Sequence, residues 1–99
     1  MEITIDGAML NSEQDVHRIL AEKLDFGPYY GHNRAALWDR LTTDVERPVK
    51  LVWINATASR AALGEECFSK LLAIFREVEQ RDANRPLAER FVFECPCCP

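Results

Sequence analysis

The stretch GEECFSKLLAIFREVEQ, residues 64–80, carries the strongest helical pattern in the chain and decides the fold class. Its apolar positions recur at intervals of three and four, at Cys67, Phe68, Leu71, Leu72, Ile74, Phe75 and Val78. This spacing places the apolar side chains on one face of a helix. A helix with so broad an apolar face must cover a hydrophobic core, so strands are expected around it in the chain.

Strands flank this helix on both sides in the sequence. VKLVWI, residues 49–54, is a short apolar run that follows Pro48, at which a helical pattern cannot continue. RFVFE, residues 90–94, places Phe91 and Phe93 on one face of a further strand. The second half of the chain therefore has the order strand, helix, strand.

The first half of the chain also begins with a strand. EITI, residues 2–5, alternates polar and β-branched residues and is closed by an Asp-Gly turn. Ser12 and Asp15 resemble a capping box, and a helix is expected from about Glu13 to Leu24. After a loop rich in Gly and Pro, Asn33 can cap a second helix through its side-chain oxygen.

Each strand is separated from the next by enough residues for a crossover connection. We therefore predict an α/β fold, in which a three-stranded parallel sheet is packed with helices and residues 1–94 form one domain. A chain of 99 residues fits one such domain. Residues 95–99, CPCCP, are expected to form a separate tail, because proline lacks the amide donor that a regular strand needs.

Charge and hydropathy argue against several classes of function. With 16 acidic and 12 basic residues and a formal net charge of −4, the chain has no excess of positive charge for direct binding to nucleic-acid phosphates. It lacks an apolar run long enough to span a membrane, and its first residues do not resemble a signal peptide. Of the four cysteines, Cys67 lies in the helical pattern and the other three lie in the last five residues, which is not the distributed framework of a secreted disulfide scaffold. A cytoplasmic protein is expected.

The stretch PYYGHNRAALWDRL, residues 28–41, is similar to the signature of the barstar family, the bacterial inhibitors of the ribonuclease barnase. The similarity continues through Val45, Glu46 and the strand that ends in Val52-Trp53, and it recurs at FRE, residues 75–77. The resemblance implies a barstar-like fold. It also implies a ribonuclease inhibitor, or an immunity protein against a ribonuclease toxin, with no enzymatic activity and no cofactor.

The resemblance further indicates which residues bind the ribonuclease. The expected partner-binding residues are Tyr29, Gly31, Asn33, Trp38, Asp39, Asp44, Glu46 and Glu77. Asp39 is the expected central carboxylate, Tyr29 the aromatic anchor and Glu77 a peripheral carboxylate on the long helix, while Gly31 and Asn33 shape the loop. Carboxylates on a rigid helix can form charge-assisted hydrogen bonds with the Arg, Lys and His of a ribonuclease active site. The expected complex is one-to-one, and the free inhibitor is expected to be a monomer.

Two positions differ from the family pattern. Ala35 stands where the pattern has a second carboxylate on the same helical face, and Thr43-Asp44 replaces a Gly-Trp pair. Asp44 is expected to restore acidity nearby, while His32 and Arg34 add basic or titratable character. These differences indicate a related ribonuclease with a differently placed basic group, or alternatively a barstar-fold interaction module that binds another basic protein.

Other residues have an ordinary packing interpretation. Tyr30 and Trp38 can be structural, His17 is expected to be a satisfied structural histidine, and Cys67 a small buried residue. The three thiols of the tail could contribute to a zinc or copper(I) site, or could belong to an exposed tail that oxidises. We predict no metal site, because the ligand set is incomplete, and no catalytic residues, because no nucleophile has a paired base.

Overall fold

The computed structural model describes residues 1–96, so most of the expected tail lies outside the described residues. Within them there are three strands and four α-helices: β1 Glu2–Asp6, α1 Glu13–Leu24, α2 Arg34–Thr43, β2 Val49–Ile54, α3 Ala56–Leu63, α4 Glu65–Asp82 and β3 Phe91–Glu94. Short 3-10 turns at Gly7–Met9 and Leu87–Glu89 follow β1 and precede β3. This order contains every strand and helix that the sequence predicts, and one more helix.

The sheet has the order β1-β2-β3, and both outer strands run parallel to the central β2. Its register aligns Ile3, Leu51 and Phe93 across the three strands. All three side chains are buried, so this row belongs to the face that the core covers. The predicted α/β fold, a three-stranded parallel sheet packed with helices, is therefore confirmed.

The core forms where α4 packs on this face of the sheet. Trp53, near the end of the central strand β2, is fully buried and makes edge contacts with Phe68 and Phe75, at ring-centroid distances of 5.3 and 5.8 Å. Phe75 also stacks on Phe93 of β3, with centroids 5.2 Å apart. Such aromatic pairs contribute beyond the apolar area they bury. The helical stripe predicted over residues 64–80 thus faces the core.

One edge of the sheet is closed by side chains of α4. The backbone N–H of Phe91 donates to Asp82 Oδ2 at 2.8 Å, and that of Phe93 donates to Glu79 Oε2 at 2.9 Å. The two carboxylates are three residues apart on α4, about one helical turn, and the two amides are two residues apart on β3. An edge strand with satisfied donors is a poor template for pairing with another chain.

The connection between β2 and β3 contains two helices where the sequence predicts one. Gly64 separates α3 from α4 and adopts φ 89°, a conformation that L side chains rarely adopt. The short α3 buries only Ala56 and Ser59, so it lacks the wide apolar stripe by which a helix is recognised. Ser59 nevertheless has a structural role, because its hydroxyl accepts a hydrogen bond from Trp53 Nε1 at 2.8 Å.

The two predicted helix caps have different outcomes. Ser12 occupies the N-cap of α1, but its side chain makes no capping hydrogen bond. Asp15 reaches back instead to the N–H of Asn11, at 2.8 Å, so half of the expected capping box forms and it is displaced by one residue. The cap at Asn33 is confirmed, because its Oδ1 accepts a hydrogen bond from the N–H of Ala36 at 2.8 Å.

Candidate functional site

The loop between α1 and α2 presents its two tyrosines in opposite directions. Tyr29 is 89% exposed, whereas Tyr30 is only 6% exposed. The ring of Tyr30 packs against Phe26 at a centroid distance of 4.8 Å, and its hydroxyl lies 2.7 Å from His17 Nδ1. Tyr30 is therefore a structural residue, while Tyr29 is available to a partner.

Close packing shapes the end of this loop. A Cβ on Gly31 would lie 3.2 Å from the side-chain nitrogen of Asn33 and 3.3 Å from the Cβ of Ala36, closer than ordinary van der Waals contact. His32 adopts φ 53°, in the left-handed region. Besides capping α2, Asn33 donates from Nδ2 to the carbonyl of Gly31 at 3.4 Å. Gly31 and Asn33 are thus packed closely together just before α2.

Asp39 lies in the middle of α2 with an exposed side chain. Within residues 1–96 its carboxylate makes no hydrogen bond or ion pair, and Ala35, one turn earlier, is exposed beside it. A pairing with a neighbouring arginine was the ordinary alternative for this residue. Arg40 forms that ion pair with Asp44 instead, at 2.6 Å, and leaves Asp39 open to a cation from outside.

Asp44 ends α2 and differs from Asp39 in having a partner within the chain. Its carboxylate accepts a hydrogen bond from Arg40 Nη1 and another from Thr43 Oγ1 at 3.3 Å. The side chain is 50% exposed, so this pair contributes little to stability, yet it places a cation beside the carboxylate. The acidity that Asp44 was expected to restore is therefore partly compensated by Arg40.

Trp38 and Glu77 lie where α2 meets α4. Trp38 is half-buried against the core, and the guanidinium of Arg81 lies 5.5 Å from the centroid of its ring. Glu77, one turn before Arg81 on α4, is exposed and makes no ion pair among residues 1–96. The contact between Trp38 and Arg81 therefore brings the helix that carries Asp39 against the one that carries Glu77.

Glu46 follows α2, in the connection to β2, and is exposed. Together with Asp25 and Asp44 it lines an open cleft of about 310 Å³ that the N-terminal Met1 also borders. Glu46 is thus near Asp44, in a region with three carboxylates, but nothing links it directly to Asp39.

Sequence reasoning missed a buried polar cluster behind the loop. Glu13 accepts hydrogen bonds from His17 at 2.9 Å, from Arg34 at 3.1 Å and from the thiol of Cys67 at 3.2 Å. Burial by itself raises the pKa of Glu13, but these three donors outweigh burial and hold that pKa at about 2. The i, i+4 spacing of Glu13 and His17 was the one sequence signal for this cluster.

The cluster decides the outcome of three expectations about individual side chains, one of which is confirmed and two of which change. His17 is confirmed as a satisfied structural histidine, since it is fully buried and both ring nitrogens have partners. Cys67 is half-buried rather than buried, and its thiol is a hydrogen-bond donor rather than a purely apolar group. Burial, together with the charge of Glu13, raises the pKa of Cys67 to about 11. Arg34 is turned toward Glu13, so it adds less basic character to the exposed face than its place in the sequence suggests.

Residues 1–96 contain no cluster of three or more His, Cys, Asp or Glu side chains that could hold a metal ion. In the same range, none of the helices has the length and apolar character needed to cross a membrane. The exposed face around α2 carries instead the aromatic side chain of Tyr29 and several carboxylates, of which Asp39 and Glu77 have no partner among residues 1–96. Such a face can bind cationic groups of another macromolecule.

Comparisons with known proteins cover nearly the whole chain. The model of the family described as "Barstar (barnase inhibitor)" matches residues 1–94. Among curated proteins, the chain is similar to one from Bacillus subtilis (strain 168) named "Putative ribonuclease inhibitor YrdF". The two sequences are 38% identical over 79 residues, which cover 80% of this chain and 86% of the relative. All the candidate site residues lie within the part that the family model matches.

Proposed function

This chain belongs to the barstar family, and on that premise we propose that it inhibits a barnase-type or related microbial ribonuclease by a one-to-one complex that occludes the basic active site. The inhibitor acts in the cytoplasm, where it protects the cell from its own ribonuclease or, as an immunity protein, from a ribonuclease toxin. The acidic face takes the place of the RNA phosphates.

The exposed carboxylate of Asp39 is the observation that carries this proposal. It stands on a helix held by the Asn33 cap and by the packing of Trp38, and it has no partner within residues 1–96. An active site that binds phosphate offers Arg, Lys and His, with which a carboxylate forms short charge-assisted hydrogen bonds. Tyr29, which is 89% exposed, supplies the rigid aromatic group that interfaces favour as an anchor.

Inhibition of RNA cleavage by barnase and by related guanyl-specific ribonucleases tests the proposal. Wild-type protein is expected to abolish cleavage by at least one of these enzymes at a one-to-one ratio, and against that enzyme Asp39→Ala is expected to weaken inhibition more than Glu77→Ala does. Glu22→Ala is the control, because it removes an exposed carboxylate of α1 that is not among the proposed binding residues. Normal inhibition by Asp39→Ala would reject the central role of this residue.

A second candidate is a barstar-fold interaction module that binds a different basic protein. It is favoured by exposed Ala35, which replaces a carboxylate of the family pattern, and by the pairing of Asp44 with Arg40. Both features reduce the negative charge of the face around α2, and a basic active site that binds phosphate favours a more acidic face. Lack of inhibition across a panel of guanyl-specific ribonucleases, together with a pull-down that recovers no nuclease, would favour this candidate.

A further inference from the structure

Helix α1 holds the loop that carries Tyr29 at three successive points. The contacts join Tyr30 Oη to His17 Nδ1 at 2.7 Å, the carbonyl of His32 to Gln14 Nε2 at 3.3 Å, and Arg34 Nη2 to Glu13 Oε1 at 3.1 Å. The held positions alternate along the segment, at residues 30, 32 and 34. The backbone from the second tyrosine to the start of α2 is therefore fastened to one side of α1.

His17 connects the loop to Glu13 of α1 through hydrogen bonds on both sides of its ring. Its ring is fully buried, with Tyr30 at Nδ1 and Glu13 at Nε2. The tautomer with its hydrogen on Nε2 satisfies both contacts, because Nδ1 then accepts from the tyrosine hydroxyl and Nε2 donates to the carboxylate. Burial and the charge of Glu13 raise the pKa of Tyr30 above its ordinary value, so its hydroxyl remains a donor.

Glu13 extends the same network to two further helices. One of its oxygens accepts from His17, and the other accepts from Arg34 of α2 and from Cys67 of α4. The network therefore runs without a break from α4, through Glu13 and His17, to Tyr30 in the loop. A fully satisfied network of this kind makes a segment rigid.

The side chain of Tyr29 makes no hydrogen bond or ring contact within residues 1–96. Its direction therefore depends on the backbone of the loop, which is held at residues 30–34. A partner that binds a mobile anchor must order it and loses affinity by doing so, whereas a preorganised anchor avoids that cost.

We propose that Glu13 and His17 are positioning residues of the binding loop, which act through Tyr30 to hold Tyr29 in the orientation that a ribonuclease meets. Neither residue touches the partner. The proposal rests on the proposed function for its consequence in binding, but the ordering of the loop is a property of the free protein and can be measured without any ribonuclease.

Backbone ¹⁵N relaxation of the free full-length protein provides the first test. In wild type, the order parameters of residues 29 and 31–33 are expected to approach those of α4, near about 0.85, and to fall below about 0.6 in Tyr30→Phe and in Glu13→Gln. Glu13→Gln is expected to break the network, because its side-chain amide has an NH₂ donor in place of one of the two acceptor oxygens of Glu13. Glu22→Gln, an exposed glutamate on the same helix, is the control. Unchanged order parameters in both variants, with α4 still rigid, would overturn the proposal.

Inhibition of barnase provides the second test, as a cycle with Tyr29→Ala. Tyr30→Phe is expected to weaken inhibition roughly three- to tenfold, the effect of one hydrogen bond, but to have no further effect when Tyr29 is already alanine. An equal loss in both backgrounds indicates general destabilisation and overturns the positioning role. If wild type does not inhibit barnase, that result counts against the proposed function, and relaxation alone then decides whether the network orders the loop.

Discussion

Asp82, the last residue of α4, joins three parts of the fold through one carboxylate oxygen. Its Oδ2 accepts hydrogen bonds from Arg47 Nε at 2.9 Å and from the N–H of Phe91 at 2.8 Å. Arg47 also donates to the carbonyls of Leu41 and Val45, at 2.8 and 2.7 Å, at the end of α2. The side chains of Asp82 and Arg47 are only 7% and 12% exposed, so we expect Asp82→Ala to be strongly destabilising.

The expected loss of stability in Asp82→Ala has two contributions. Asp82→Ala leaves the guanidinium of Arg47 without its counter-ion, and removal of one partner from a buried ion pair costs roughly 3 to 5 kcal/mol. It also leaves the N–H of Phe91 without an acceptor, a loss of about 1 to 3 kcal/mol if the amide stays dry. The two losses sum to about 4 to 8 kcal/mol, and because Arg47 keeps its two carbonyl acceptors we expect a total at the lower end, about 4 to 5 kcal/mol. For a domain of this size, the melting temperature then falls by at least about 16 °C.

Urea denaturation followed by the fluorescence of buried Trp53 measures this change in the free energy of unfolding. Glu94→Ala is the control, because it removes an ion pair with Lys50 whose side chains are 39% and 48% exposed, and such pairs contribute at most about 1 kcal/mol. Asp82→Asn, which keeps one acceptor but not the charge, is expected to lie between the two. A loss below about 1 kcal/mol for Asp82→Ala, or one equal to that of Glu94→Ala, would refute the reasoning.

Two further predictions concern pH and the tail. The pKa of Glu13 is about 2 in the folded protein against an ordinary 4.5, so its carboxylate, which faces His17, Arg34 and Cys67, stabilises the fold above pH 4.5. This contribution, up to roughly 3 kcal/mol, is lost as the pH falls from about 5 to 2. Unfolding free energies measured across that range should therefore decrease less steeply for Glu13→Gln than for wild type, and parallel curves would contradict the assignment. Deletion of residues 95–99 is expected to leave barnase inhibition within about twofold, because the proposed site lies wholly upstream, and a larger loss in an inhibition assay would assign the tail a role in binding.

The sequence alone was sufficient for the elements with a strong period. The apolar stripe of α4 was readable because burial on one face of a helix imposes a fixed spacing, and β2 was readable as a short apolar run, which is typical of a strand buried on both faces. Asn33 was readable as a cap because its role depends only on neighbouring backbone groups. Helix α3 was not readable from the sequence, because it buries only Ala56 and Ser59 and so lacks an apolar period.

The candidate site was readable from the sequence as a motif, but its charge distribution was readable only in part. The i, i+4 spacing of Arg40 and Asp44 favours the ion pair that the structure forms, whereas Asp39 is adjacent to Arg40 and does not face it. Arg34, which seemed part of the exposed face, is instead turned to Glu13, 21 residues earlier in the chain.

What the sequence by itself determined is thus the set of strands and long helices and the stretch around Tyr29 and Asp39 that identifies the family. Which tyrosine faces the solvent, and that Arg34 turns to Glu13, was decided only by the tertiary structure. The physical reason is that a loop has no period to report burial, and that ion pairs and hydrogen bonds such as that between Tyr30 and His17 depend on how α1, α2 and α4 meet in space.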